Sequence, residues 1–165
     1  MLDLSLFRGK PSQRKVALFL FRRGIRVASD GGLYANDLSV AYSSVAKINS
    51  VDSRVVKSTV KAVLEDDKLR AVFERLRVGV DLREVAPELG FGVFMVIPED
   101  ASGRGIISQV TGALAKEGLG IRQVVADDPM FEDPQLTVVI EKRIPPKLID
   151  VLLNLSCVKK IVVLN

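Results

Sequence analysis

The chain has 165 residues, is 48% apolar and carries a formal net charge of +4, with no histidine, no tryptophan and a single cysteine. The lack of histidine and the single thiol argue against an enzyme, and the sequence shows no nucleophile–base pair, metal-ligand cluster or phosphate-binding loop. One thiol, Cys157, cannot close an internal disulfide, which points to the cytoplasm; no run of about 18 apolar residues predicts a membrane span, and Met1–Lys10 lacks the layout of a signal peptide.

Charge divides the chain. Residues 1–90 hold 16 Lys/Arg against 11 Asp/Glu, net +5, whereas residues 91–165 hold 8 against 9, net −1. A basic half beside a near-neutral half suits a nucleic-acid-binding module joined to something else; a solvated basic surface is the other reading. Pro11 opens a helix that runs to Arg23, with Val16, Leu18, Phe19 and Leu20 as its apolar side and Gly24 as its stop. Ile25–Ala28 and Leu33–Ala35 flank Ser29-Asp30-Gly31-Gly32, a hairpin signal because glycine accepts the positive φ of the turn. A second helix is expected over Ser39–Asn49, then a turn at Ser50-Val51-Asp52. A third helix, capped by Asp52 or Ser53, runs to Leu64 or Glu65. A fourth spans Asp67–Arg77, with Leu69, Val72, Phe73 and Leu76 at helical spacing, and is broken by Gly79. Asp81–Leu89 reads as a short connector helix ended by Gly90, so the domains are 1–80, a connector at 81–90, and 91–165.

The segment from Val45 to Lys57 resembles a helix-turn-helix unit. Ala46 is small where two helices must cross, Val51 follows the turn as a core plug, and Val55, Val56, Val60 and Val63 make the buried side of the third helix. At about 100° per residue, Arg54, Lys57, Ser58 and Lys61 share the opposite side. These donors suit phosphates and guanine edges, and they match the DNA-facing positions of a recognition helix in that family. Ser50 stands where glycine is usual, and Asn49 and Thr59 stand where apolar residues are usual. The alternative is a helical bundle with one basic, solvated face.

Beyond residue 90 the patterning changes. Phe91–Pro98 is an apolar run, Ala101–Gly118 is helical, Leu119–Ala126 and Gln135–Lys142 read as strands, Ile144–Ser156 as a helix and Cys157–Leu164 as a last strand. The order β-α-β-β-α-β is that of a split βαβ, ferredoxin-like domain, and the whole chain is therefore α+β. Its small size and high apolar content predict that a partner subunit covers part of it. The acidic loop Asp127-Asp128-Pro129, with Glu132-Asp133-Pro134 after it, is read as solvated, with no metal and no cofactor expected.

Residues 91–165 resemble an ACT domain, the small regulatory module that senses amino acids. Ser102 holds the pattern's polar position, Gly105 its glycine, and Ile106 and Ile107 its aliphatics; Arg104 replaces the usual proline. The resemblance implies a homodimer or higher homo-oligomer built through this domain. It also implies an amino acid bound between two such domains, at Ser102, Gly103, Arg104, Gly105 and Ile106 of one and against Ile121 and Gln123 on the second strand of its neighbour. Physics supports the loop independently: free N–H groups at a helix start attract carboxylates, and glycine lets a ligand approach the backbone. Ser102 is placed to cap the helix or to bond the ligand; the alternative is ordinary capping with a solvated arginine. Over nearly its full length, through Gly24-Ile25-Arg26-Val27, Val85-Ala86-Pro87 and Ile121-Arg122-Gln123, the chain is similar to a family of predicted regulators of amino-acid metabolism. That resemblance implies an amino-acid-responsive, non-enzymatic regulator that binds DNA through its first half and has no membrane partner. The competing reading is an adaptor that docks on an enzyme of amino-acid metabolism.

Overall fold

Residues 2–164 are described by the computed structural model, whose architecture is α+β with six α-helices and two antiparallel sheets. The chain divides into two compact units, Met1–Val80 and Asp81–Asn165.

The first unit opens with a 3-10 turn at Ser5–Phe7 and then α1 (Pro11–Arg22), whose leading proline suits a position that has no intrahelical N–H partner. Val16, Ala17 and Leu20 bury its inner side. At its end Gly24 (φ +64°) donates to the Phe21 carbonyl at 3.1 Å and Ile25 to the Leu20 carbonyl at 2.9 Å, the paired bonds of a Schellman stop. Three short strands, β1 (Arg26–Val27), β2 (Leu33–Ala35) and β3 (Leu38–Ser39), form the first sheet in that order. The hairpin between β1 and β2 pairs Val27 with Leu33, where the Gly-Gly signal placed it. The strand β3 was not expected. Its two-residue turn uses Asn36 at φ +54° rather than a glycine, a weaker hairpin signal than the Gly-Gly pair.

Helix α2 (Tyr42–Asn49) consequently begins after Ser39, and α3 (Ser53–Glu65) and α4 (Asp67–Phe73) complete the unit. The Asp66 carboxylate caps α4 by accepting the Lys68 and Leu69 amides at 3.0 and 2.9 Å. α4 stops at Phe73, short of the expected Arg77, because the chain beyond it is claimed by other contacts. The Arg77 carbonyl lies against Gly24, and Val78 exchanges two hydrogen bonds with the Asn36 side chain, at 3.0 and 3.1 Å.

The second unit runs from a 3-10 turn at Pro87–Leu89 through β4 (Gly92–Pro98), α5 (Ile106–Lys116), β5 (Ile121–Ala126), β6 (Leu136–Ile140), α6 (Pro146–Leu153) and β7 (Val158–Leu164). Its sheet has the order β5-β6-β4-β7, antiparallel throughout. Phe94, Val96, Val138 and Ile140 pack against Val110, Leu114, Leu148 and Leu152 of the two helices. Every residue of β6 is buried, because the other face of the sheet is covered as well: Val93 and Val139 close on Ala86, with Leu82 and Phe91 alongside. The stretch 81–90 thus packs with the second unit. Only Pro87–Leu89 within it is helical, and as a 3-10 turn, rather than the whole of Asp81–Leu89.

Helix α5 starts at Ile106 instead of Ala101. Gly103 N–H bonds the Asp100 carbonyl at 3.0 Å in a separate turn, and Gly105 precedes the helix at φ +83°, a conformation no right-handed helix can contain.

Candidate functional site

Two places in the structure gather the residues singled out by the sequence. The first is α3. Asp52 is its cap, accepting the Arg54 amide at 2.7 Å, which resolves the choice between Asp52 and Ser53. Val56, Thr59, Val60 and Val63 are buried, while Arg54, Lys57 and Lys61 are exposed. Lys61 lies 3.7 Å from Glu65, a solvent-exposed pair of small energetic weight. Among the described residues neither Arg54 nor Lys57 has an ion-pair partner.

Ser58 behaves differently from the three cations. Its hydroxyl donates to the Val55 carbonyl at 3.0 Å and accepts from Gln13 Nε2 of α1 at 2.7 Å. It is a half-buried contact between α1 and α3, not a member of the open face. The unusual polar residues are also accounted for. Asn49 donates to the Val45 carbonyl at 2.9 Å and Thr59 to the Val55 carbonyl at 2.7 Å, so both are buried with their donors satisfied on their own helices. Lys15 Nζ donates to the Asn49 carbonyl at 2.7 Å, tying α1 to the end of α2. Ser50 adopts the left-handed φ of +55° that the turn requires and that glycine usually supplies.

The second place is a pocket of about 520 Å³ at the start of α5. Gly103, Gly105 and Ile106 line it, with Ile107, Ser108 and Thr111 from the helix. Pro98 closes it from the end of β4, Ala126 and Asp127 from the end of β5, and Gln135 and Leu136 from the start of β6. No side chain caps α5, which leaves its first-turn amides without a side-chain acceptor. Asp127 N–H donates to the Gln135 carbonyl at 2.9 Å, and Gln135 N–H to Asp127 Oδ2 at 3.4 Å, which pins the two lining strands together. The Gln135 Oε1 atom is buried with no hydrogen-bond partner among the described residues.

Ser102 and Arg104, expected at this site, lie outside the pocket lining, as do Ile121 and Gln123, which were expected to meet the ligand from a neighbouring domain. Ser102 does not cap α5. Its hydroxyl and its amide both donate to Asp100 Oδ1, at 2.6 and 2.9 Å, and these two bonds hold the Asp100 carboxyl below its usual range. Arg104 is exposed and Ile121 is 39% exposed on β5; neither borders the pocket. Gln123 accepts the Leu82 amide on its Oε1 at 2.9 Å, so it fastens the 81–90 stretch to the sheet. Conversely, Asp127 and Gln135 were missed. Their signal was present in the acidic loop, but sequence spacing alone could not show that this loop returns to the start of α5.

At the opposite end of β4 a pocket of about 480 Å³ opens between Phe91, Ile144 and Leu164, with Arg143 in its lining. Among the described residues no three His, Cys, Asp or Glu side chains converge as a metal site, and no helix is long and apolar enough to cross a membrane. In comparison with known proteins, the chain matches no family model and no curated protein sequence.

Proposed function

We propose that this chain is a non-enzymatic, amino-acid-responsive regulator of cytoplasmic metabolism, with a helix-turn-helix half that binds DNA and an ACT-like half that binds a small molecule and self-associates. The observation that carries the reading is the two-sided character of α3: Val56, Val60 and Val63 are buried, Val55 is half-buried, and Arg54, Lys57 and Lys61 are exposed. A helix fixed by its inner side with cations on the outer side is suited to phosphates and base edges. The ferredoxin-like, ACT-type reading of 91–165 draws support from the element order and from a sheet in which the first strand lies between the third and the fourth. The sensing role draws support from the pocket at the start of α5. For ligand to control DNA binding, it must bind two states of the assembly with different affinity.

The test is a titration of genomic DNA fragments at several salt concentrations. Replacing Arg54 and Lys57 together by alanine should weaken binding and shrink the slope of log K against log salt by about 1.8, at roughly 0.9 per phosphate contact. An unchanged affinity would remove α3 from the mechanism. A melting-temperature screen with the twenty amino acids tests the sensing half: at a ligand concentration about 100 times Kd, binding to the native state adds roughly 2.7 kcal/mol. Light scattering on the full chain should give at least twice its monomer mass.

The adaptor reading has one observation in its favour. Leu38 on β3 and Ile48 on α2 are 74% and 65% exposed on the first unit. Association through such apolar groups should be nearly insensitive to salt, whereas phosphate binding should fall steeply.

A further inference from the structure

The pocket at the other end of β4 from the start of α5 has a different chemistry. It encloses about 480 Å³ within the second unit, and Arg143 is the one charged side chain in its lining. The remaining lining side chains are apolar, among them Phe91, Ile144, Ile149 and Leu164. Arg143 is exposed, and among the described residues its guanidinium has no ion-pair or hydrogen-bond partner. Glu141, the acid closest to it along the chain, is engaged elsewhere: it accepts the Gly120 amide at 3.1 Å and lies 3.8 Å from Arg122. Gly92 fixes the backbone that carries the arginine. A Cβ there would meet the Lys142 carbonyl at 2.7 Å and the Ile144 amide nitrogen at 2.9 Å, so the missing side chain lets the 142–144 segment close on the start of β4. From this we infer that the pocket binds apolar monocarboxylates, with the carboxylate on the Arg143 guanidinium and the hydrocarbon body against Phe91, Ile144, Ile149 and Leu164.

A guanidinium presents parallel N–H donors that match the two oxygens of a carboxylate. A hydrocarbon body adds the apolar surface that the walls remove from water. An ammonium group would meet no carboxylate in the lining and would face the like charge of Arg143, which disfavours amines and zwitterionic amino acids. The inference is independent of the site at the start of α5, since it uses another pocket and the opposite ligand charge.

The experiment is calorimetric titration of the full chain with hexanoate, 4-methyl-2-oxopentanoate, acetate, hexylamine and leucine. The first two acids should bind, and acetate, which keeps the charge without the body, should bind at least about 10-fold more weakly. Hexylamine should not bind. Arg143→Met should weaken hexanoate roughly 5- to 30-fold, and Arg143→Lys, which keeps the charge but not the paired donors, should weaken it less. The unliganded melting temperature should hold in both variants, because the exposed side chain has no partner among the described residues to lose. Val163→Trp, which fills the pocket from a position 37% exposed, should weaken hexanoate at least about 10-fold with Arg143 intact. Unchanged hexanoate affinity in Arg143→Met or in Val163→Trp would overturn the site. Hexylamine binding as tight as hexanoate, or a leucine affinity that falls with Arg143→Met, would overturn the ligand class. Absence of binding by both longer acids would overturn the inference outright.

Discussion

Single residues carry strain and charge that can be measured. Ser50 holds a left-handed φ of +55° with an exposed side chain. An L-residue there costs about 1–2 kcal/mol, partly offset because glycine loses more chain entropy on folding. Ser50→Gly should therefore raise stability by about 0.5–1 kcal/mol, seen as a higher denaturant midpoint at constant slope. Gly24 is the opposite case. It sits at φ +64°, and a Cβ there would collide with the Arg77 carbonyl, so Gly24→Ala combines backbone strain with a clash that only backbone movement relieves. A loss of at least about 2 kcal/mol is expected in the same denaturation experiment. Asp100 provides a pH signature. Its folded pKa is depressed first by the Ser102 hydroxyl and then by the Ser102 amide. A depressed acid favours the native state above its unfolded value of 3.8, and that contribution disappears as pH falls through the lower folded value. Carboxyl-carbon titration by NMR should give a midpoint below 3.8 for Asp100, and Ser102→Ala should move it upward.

At the scale of elements, the proposed function makes α3 a helix that separates stability from recognition along its own surface. Its cap can be removed without touching its cations: Asp52→Ala should cost about 1 kcal/mol of stability. The Arg54 and Lys57 substitutions should do the reverse, lowering DNA affinity with little change in melting temperature, because both side chains are exposed and outside any ion pair among the described residues. Ser58 distinguishes the two faces. Its hydroxyl links α1 to α3 through Gln13 at 2.7 Å, so Ser58→Ala should lower stability by about 0.5–1.5 kcal/mol and leave the salt slope of DNA binding unchanged. A weaker DNA affinity at unchanged stability would instead put the hydroxyl on the phosphate-facing side.

At the scale of the molecule, the stretch 81–90 belongs to the fold of the second unit. Ala86 is fully buried on Val93 and Val139, and the Leu82 amide is spent on Gln123. A fragment of residues 81–165 should fold cooperatively. A fragment of residues 91–165 exposes the outer face of β4 and β6, and should lose about 2 kcal/mol or more from one hydrogen bond and the apolar contacts of Leu82 and Ala86. It should also aggregate more readily, since a bare apolar sheet face is an association surface. Urea denaturation of the two fragments side by side measures the difference.

What the sequence determined by itself were the features written in local chemistry. Helical spacing located all six helices, Gly24 and Asp52 set ends that the structure keeps, and the Gly-Gly pair set the β1–β2 turn. The alternation of elements after residue 90 carried the order of the second sheet's strands along the chain. Tertiary structure decided where a local signal was weak or was outbid. α4 stops at Phe73 because Arg77 and Val78 make better contacts with Gly24 and Asn36, and β3 forms on an asparagine turn that no glycine announces. The candidate site was divided in the same way. Gly103, Gly105 and Ile106 were legible because a helix start is a local event. Asp127 and Gln135 were not, because they reach the pocket only through the pairing of β5 with β6. Gln123 and Ser102 carried side chains fit for a ligand, but nearer partners within the unit, the Leu82 amide and the Asp100 carboxylate, claimed their hydrogen bonds first. A buried polar group must be satisfied by whatever the fold brings within about 3 Å, and only the folded chain determines what that is.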